Sequence, residues 1–515
     1  MGHAEHRDAA VSPPGPDGAS AERLDPAVST STGPRPVGRP AASPPVPPRF
    51  PGHRLAILAL GVVSVLGGLD AGLIRLGAAA PVGRLSLGDV HGALMIYGFL
   101  GTVICLERAV ALQSGAAPRA GAQPGNQGGA PADGSPSAPV AARRVPTLWA
   151  YAAPIAAGIG GIAAVVGATA PLPPMWSAHA RLLPGLAWIL AMALLSVIYA
   201  TIWRTRQQSY ALLLQVLGSL AGLGGIALWT QGRPVAVLVV WWLAFPVLTI
   251  IGERLELARV GFAARRPSDT TVRPPGTAAG SGAPDATARS GSPGRPRPRW
   301  DPEPRILTWA CLLVLALPLT LLVPAAGYPL LGAALAALIV DTAWHDVARR
   351  TVRLPGLPRL AGVCMLSGYA WALVPAGLWM VAGPVPSGHG YDIAVHCLAL
   401  GFTVSMILAH APIIVPAILR RPLPYHPVMW VAWALLEAGL LLRVVAGVHA
   451  DEGAWRLGGA LGVSAMLVFL LVTAGSVLVA ASRSGRTARP STRATAAPLS
   501  SPHEGDPARP AGDPR

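Results

Sequence analysis

His91, His396 and His410 stand inside long apolar runs, where an ionisable or ligating side chain is expensive to keep. His91 opens the stretch His-Gly-Ala-Leu-Met-Ile-Tyr-Gly-Phe (91–99), and His396 opens His-Cys-Leu-Ala-Leu-Gly-Phe-Thr-Val-Ser-Met-Ile-Leu-Ala (396–409). Neutral imidazole is a common metal ligand. Two such rings facing one another at one depth could hold a haem iron from both sides. Packing or interface roles are the competing reading of the same residues. His410 follows His396 by fourteen residues, about 21 Å along a helix that rises 1.5 Å per residue, so it cannot share that iron. It is expected to meet a neighbouring helix carbonyl, with a second site or a proton path as alternatives.

A second chemistry lies in the carboxylates and arginines of the apolar runs. Thr102-Val-Ile-Cys-Leu-Glu107-Arg108 and Thr249-Ile-Ile-Gly-Glu253-Arg254 both place a Glu-Arg pair near one end of a run, with Glu256 close behind the second. Reciprocal pairing, Glu107 with Arg254 and Glu253 with Arg108, would neutralise all four. The plainer expectation is that each Arg snorkels to headgroups. Asp70, Arg75, Glu437 and Arg443 are further intramembrane charges.

The elements that position these residues follow from composition. Of 515 residues 52% are apolar and only 12% charged, against roughly a quarter charged in soluble domains. A span needs about 20 mainly apolar residues. Twelve runs qualify, near 55–78, 90–112, 148–170, 183–203, 209–230, 235–257, 305–326, 328–347, 360–382, 392–418, 428–447 and 457–481. The fold class is therefore all-α, a polytopic transmembrane bundle of twelve helices. The polar spans are the second, sixth and tenth, four apart, which suggests three pseudo-repeated arcs of four helices.

The net charge of +16 comes from 40 basic residues, all of them Arg. Positive residues mark cytoplasmic loops, and the arginines fall in the tails and alternate loops. The opposite loops hold only Arg84, Arg181, Arg233 and Arg456. That pattern places both termini in the cytoplasm of a plasma (inner) membrane protein whose partner is the lipid bilayer, and it argues against nucleic acid. Residues 1–53 and 483–515 read as disordered cytoplasmic tails around a membrane domain at 54–482. The Gly-, Pro- and Ala-rich stretches 113–147 and 262–303 read as disordered loops. Trp203, Trp241, Trp242 and Trp430 sit at span ends and read as interface anchors. The four cysteines form no C-x-x-C pair and read as buried thiols.

The 91–99 stretch resembles the second span of haem-copper oxidase and nitric oxide reductase catalytic subunits, in which a His opens the span and a Gly-aromatic pair follows. That resemblance implies a twelve-helix core in three arcs, with a low-spin haem held by histidines of spans two and ten, here His91 and His396. The 396–409 stretch resembles a late span of the NnrS family, haem-containing membrane proteins linked to the nitric oxide response. Together they imply haem b, a redox partner, and a role in electron transfer or nitrogen-oxide response. Oxygen reduction is disfavoured, because no His lies between 235 and 326 to complete a binuclear centre, and the spacing does not support copper. The alternative is a cofactor-free secondary transporter, with Glu107, Arg108, Glu253 and Arg254 along its path and bends at Pro246, Pro318 and Pro412. Spacing alone assembles no nucleophile or acid-base dyad, so enzyme status stays open.

Overall fold

The computed structural model describes residues 51–114, 147–171, 173, 179–205, 208–263, 302–421 and 423–487. Most of the expected tails and loops, 1–53, 113–147, 262–303 and 483–515, lies outside the described residues. Within them the chain is a bundle of helices, twelve of which are long and apolar enough to cross a membrane. Span 1 is Gly52–Arg75, span 2 His91–Gln113, span 3 Leu148–Thr169, span 4 Leu182–Thr205, span 5 Tyr210–Thr230 and span 6 Val235–Leu257. Span 7 is Glu303–Leu322, span 8 Pro324–His345, span 9 Leu357–Ala382, span 10 Gly388–Leu419, span 11 Met429–His449 and span 12 Glu452–Val479.

Every expected span is present, with shifted ends where turn chemistry competes with hydropathy. The break between spans 7 and 8 comes at Val323 (φ −139°, ψ 76°), directly before Pro324. Proline favours the first turn of a helix, where its missing N–H costs nothing. Span 10 starts at Gly388, which has a φ of 71°, so four residues of polar character precede the expected start at 392. The helix of span 12 runs on to Thr487. Pro246, Pro318 and Pro412 all lie inside helices that continue past them.

Spans 2, 6 and 10 form the centre. Their apolar windows are 83%, 78% and 61% buried, whereas no other span exceeds 56%. They run parallel: Gly92 of span 2 faces Trp242 of span 6 at one end. At the other, Arg108 meets Glu253 and Arg254 meets His410. These are called below the histidine end and the arginine end. Small residues allow the close approach. A Cβ on Gly252 of span 6 would stand 2.6 Å from the Ala211 carbonyl of span 5, so only glycine fits there.

Spans 2 and 10 share a rare local structure. In span 2 a short α-helix, His91–Ala93, gives way to a π-helix at Leu94–Gly101 before α-geometry resumes at Thr102. In span 10 the α-helix Gly388–His396 gives way to a π-helix at Cys397–Val404, and α-geometry resumes at Ser405. Each π-helix thus begins within three residues of a histidine. Such segments are uncommon and frequently mark functional positions.

The Trp reading is corrected in one place. Trp242 is 1% exposed and packs in an aromatic core, 5.6 Å from the Tyr97 ring and 6.4 Å from Trp229. Tertiary packing, not the interface, holds it. Of the cysteines, Cys105, Cys364 and Cys397 are buried as free thiols and Cys311 is half-buried.

Candidate functional site

At the histidine end, His91 is the first residue of its span, and its ring lies against the glycine-rich face of span 1. Its Nδ1 is 2.7 Å from the Gly68 carbonyl oxygen. A carbonyl only accepts, so Nδ1 carries the proton and donates. A Cβ on Gly72 would come 3.2 Å from His91 Cε1, so the glycine leaves room for the ring.

His396 has a parallel arrangement with a stronger partner. Its Nδ1 is 2.9 Å from the Asp392 carbonyl oxygen and 3.0 Å from Asp392 Oδ1. Asp392 is held in turn by Arg443, through hydrogen bonds of 2.7 and 2.6 Å, and by the Trp455 indole N–H at 2.9 Å. The Arg443 guanidinium lies 4.7 Å from the Trp455 ring centroid. Asp392 sits one helical turn before His396, which is why a local contact forms. It was absent from the residues expected to matter, although the four-residue spacing is visible in the chain.

In both rings, then, Nδ1–H is committed to a backbone or carboxylate oxygen. Neither Nε2 has a hydrogen-bond partner among the described residues. An imidazole whose Nδ1–H is anchored to an oxygen has its tautomer and orientation fixed with the other nitrogen free, which is how metal-binding histidines are usually held. His91 lies within electrostatic range of His396, Arg75 and Arg443. The α-helices at the arginine ends of spans 2 and 10 pack directly on one another. Their histidine-bearing halves make no comparable contact, and both π-helices lean on span 6 instead. Spans 2 and 10 therefore diverge toward the histidines. Among the described residues no three His, Cys, Asp or Glu side chains converge on a metal position, so the candidate is a two-imidazole arrangement.

The arginine end holds two ion clusters. Arg108 is 2.9 Å from Glu253, 3.2 Å from Glu107 and 3.2 Å from Glu256. One expected pair, Arg108 with Glu253, is present. The other is not: Glu107 pairs with its neighbour Arg108, and Arg254 binds Asp346 through two hydrogen bonds of 2.9 and 2.6 Å. The reason is helical geometry. Consecutive residues point about 100° apart, so with Glu253 turned to span 2, Arg254 faces spans 8 to 10. Asp346 follows directly on the end of span 8 and accepts from Tyr369 Oη at 2.6 Å and from the Ala348 N–H at 2.8 Å. Burial alone would raise the Asp346 carboxyl, but the hydrogen bonds and charge of Arg254, with those other donors, hold it below the usual carboxylate range.

His410 belongs to this second cluster. Its Nδ1 donates to the Met406 carbonyl at 2.6 Å, and its Nε2 accepts from Arg254 Nη1 at 3.2 Å. Both nitrogens are used, which leaves no lone pair for a metal; the carbonyl it meets is on its own helix, one turn back, and the neighbouring helix supplies the Arg254 guanidinium instead. Elsewhere Glu437 accepts from the Trp371 indole at 2.6 Å, and Asp70 accepts from the Val82 N–H at 3.1 Å.

A family model described as a domain of unknown function, DUF8744, matches residues 54–284 and 296–478, which takes in all twelve spans. The chain belongs to that family. No curated protein and no solved structure matches it.

Proposed function

We propose that this member of the family binds haem b between the divergent halves of spans 2 and 10, with His91 and His396 as the two axial ligands. The observation that carries the reading is the pair of oriented imidazoles, each with a free Nε2, on spans that part where the rings are. The residues present suit the group in two further respects. Arg75 and Arg443 lie within electrostatic range of His91, and Arg75 has no carboxylate partner among the described residues, its one hydrogen bond being to the Gly88 carbonyl at 3.5 Å. Unpaired guanidinium suits the carboxylates of a porphyrin. Tyr97 of span 2 and Trp242 and Phe245 of span 6 form a dry aromatic contact that holds these two spans together beside the gap.

Bound there, a bis-histidine haem supplies one-electron exchange. The chain's own residues hold and tune it. Gly68 and Asp392 fix the two ring tautomers, and Arg443 and Trp455 hold Asp392 in place. With both axial positions taken by protein, the reading favours electron transfer with a redox partner, or a part in nitrogen-oxide response, over oxygen reduction. On this reading the bundle lies in the plasma membrane with the histidine end outward.

The test is the absorption spectrum and iron content of protein purified from haem-replete cells. Wild type should carry about one haem with the sharp bands of a six-coordinate low-spin centre. His91→Ala and His396→Ala should each lose the haem or convert it to high spin, while His410→Ala should leave the spectrum unchanged. Colourless wild type, or spectra indifferent to His91 and His396, would overturn the proposal.

A further inference from the structure

We propose that Glu253 is a proton-binding site: at the arginine end it holds an exchangeable proton, taken from solvent by way of Glu256. The inference is independent of haem and rests on a count of charges and of unsatisfied atoms.

Three carboxylates, Glu107, Glu253 and Glu256, surround the single guanidinium of Arg108 at 2.9 to 3.2 Å. The next cation, Arg254, is committed to Asp346 by two hydrogen bonds. Fully ionised, the group would carry two uncompensated negative charges in the low-dielectric interior of a bundle, where unpaired charge is strongly disfavoured. Exposure decides which carboxylate takes a proton. The Glu256 side chain is 55% exposed and Glu107 20%, but Glu253 only 10%.

The unsatisfied atoms point to the same residue. Glu253 Oε1 has only its ion pair with Arg108 Nη2 at 2.9 Å, and Gln215 Oε1, Tyr199 Oη and Arg108 Nε are buried without a hydrogen-bond partner. Tyr199 and Gln215 are wholly buried, and native interiors rarely leave such groups unpaired. Tyr199 lies within electrostatic range of Arg108, Glu253 and Glu107, and the Gln215 amide donates to Glu256 at 3.4 Å. An ionised Glu253 can only accept, as from the Tyr199 hydroxyl. Protonated, it can both donate to and accept from that hydroxyl, which lies within its electrostatic range. The proton comes from water at the arginine end, reaches the cluster at the exposed Glu256, adds to a Glu253 carboxylate oxygen and leaves by the same route. Glu256 and Glu253 both contact the Arg108 guanidinium, so the entrance lies one side chain from the buried site.

Other titratable groups nearby are accounted for. Cys105 lies within electrostatic range of Tyr199. On span 7, Arg305 is bound to Asp341, and Glu303 lies at that span's start. His410 of span 10 meets Arg254 rather than Glu253.

Infrared spectroscopy of the full-length protein in lipid nanodiscs tests this, because a protonated carboxyl has a carbonyl stretch that a carboxylate lacks. At neutral pH the wild type should show such a band, shifted by transfer to heavy water. Glu253→Gln should abolish it and Glu253→Asp should move it. Glu256→Gln should slow its deuteration. The Asp variant serves if the Gln variant fails to fold. A wild type without the band, or a band untouched by both Glu253 variants, would overturn the proposal.

Discussion

At the scale of single residues, two carboxylates act through other side chains. Asp392 orients His396, and Asp346 anchors Arg254, whose remaining nitrogen satisfies His410. The side chains of Arg254 and Asp346 are 6% and 2% exposed. Removing one partner of so buried a pair leaves the other charge uncompensated, at a cost of about 3–5 kcal/mol. Asp346→Ala should therefore lower the thermal unfolding midpoint in detergent by many degrees, whereas Asp341→Ala, whose partner Arg305 is 43% exposed, should lower it less. The Asp346 pair also sets a pH dependence. The folded carboxyl titrates below the unfolded value of about 3.9, so its contribution is complete above that value and fades as pH falls through the folded one. Unfolding midpoints measured from neutral pH into acid should decline more gently in Asp346→Ala than in wild type, and parallel declines would remove Asp346 from this role.

At the scale of elements, the matter is how two spans can touch at one end and part at the other. The π-helices after His91 and near His396 change the helical pitch between the packed halves of spans 2 and 10 and their histidine-bearing halves. Span 6 fills the centre beside them, and it can do so only because its contact with span 5 is close. Gly252 sets that distance. A Gly252→Leu substitution would force side-chain atoms into the Ala211 backbone, and overpacking of this kind costs about 1–3 kcal/mol. The expected result is a lower unfolding midpoint together with disturbance of the Glu253 cluster, which lies one residue away. Gly232→Ala, at the exposed turn between spans 5 and 6 where φ is 84°, should strain its own turn while leaving the cluster's infrared band unaltered. A Gly252→Leu protein as stable as wild type would mean that spans 5 and 6 are not in close contact.

At the scale of the whole molecule, the proposed polarity of the bundle rests on arginine. Arginines resist transfer across the membrane, and short loops rich in them stay cytoplasmic. The proposed orientation is checked by single cysteines in a background lacking the four native thiols. Arg84→Cys, between spans 1 and 2, should react with a membrane-impermeant maleimide on intact cells. Arg353→Cys, between spans 8 and 9, should react only after permeabilisation. The opposite pattern would invert the bundle and place the histidine end inside.

The sequence by itself determined the number of spans, because a stretch of apolar residues long enough to cross a bilayer is a local property, readable without neighbours. It also singled out spans 2, 6 and 10, since charges inside apolar runs are visible one residue at a time, and the packing makes these spans the most buried. The Arg108–Glu253 pairing was one of the readings left open by the chain, beside snorkelling of each Arg. Only the tertiary structure decided that Arg254 turns to Asp346, that Trp242 is core rather than anchor, and that spans 2 and 10 diverge at their histidines. Those outcomes depend on which helix stands beside which and at what rotation. Burial can stabilise any of several pairings of a Glu-Arg motif, and a choice among them is made by side-chain directions fixed jointly by twelve helices rather than by any one of them.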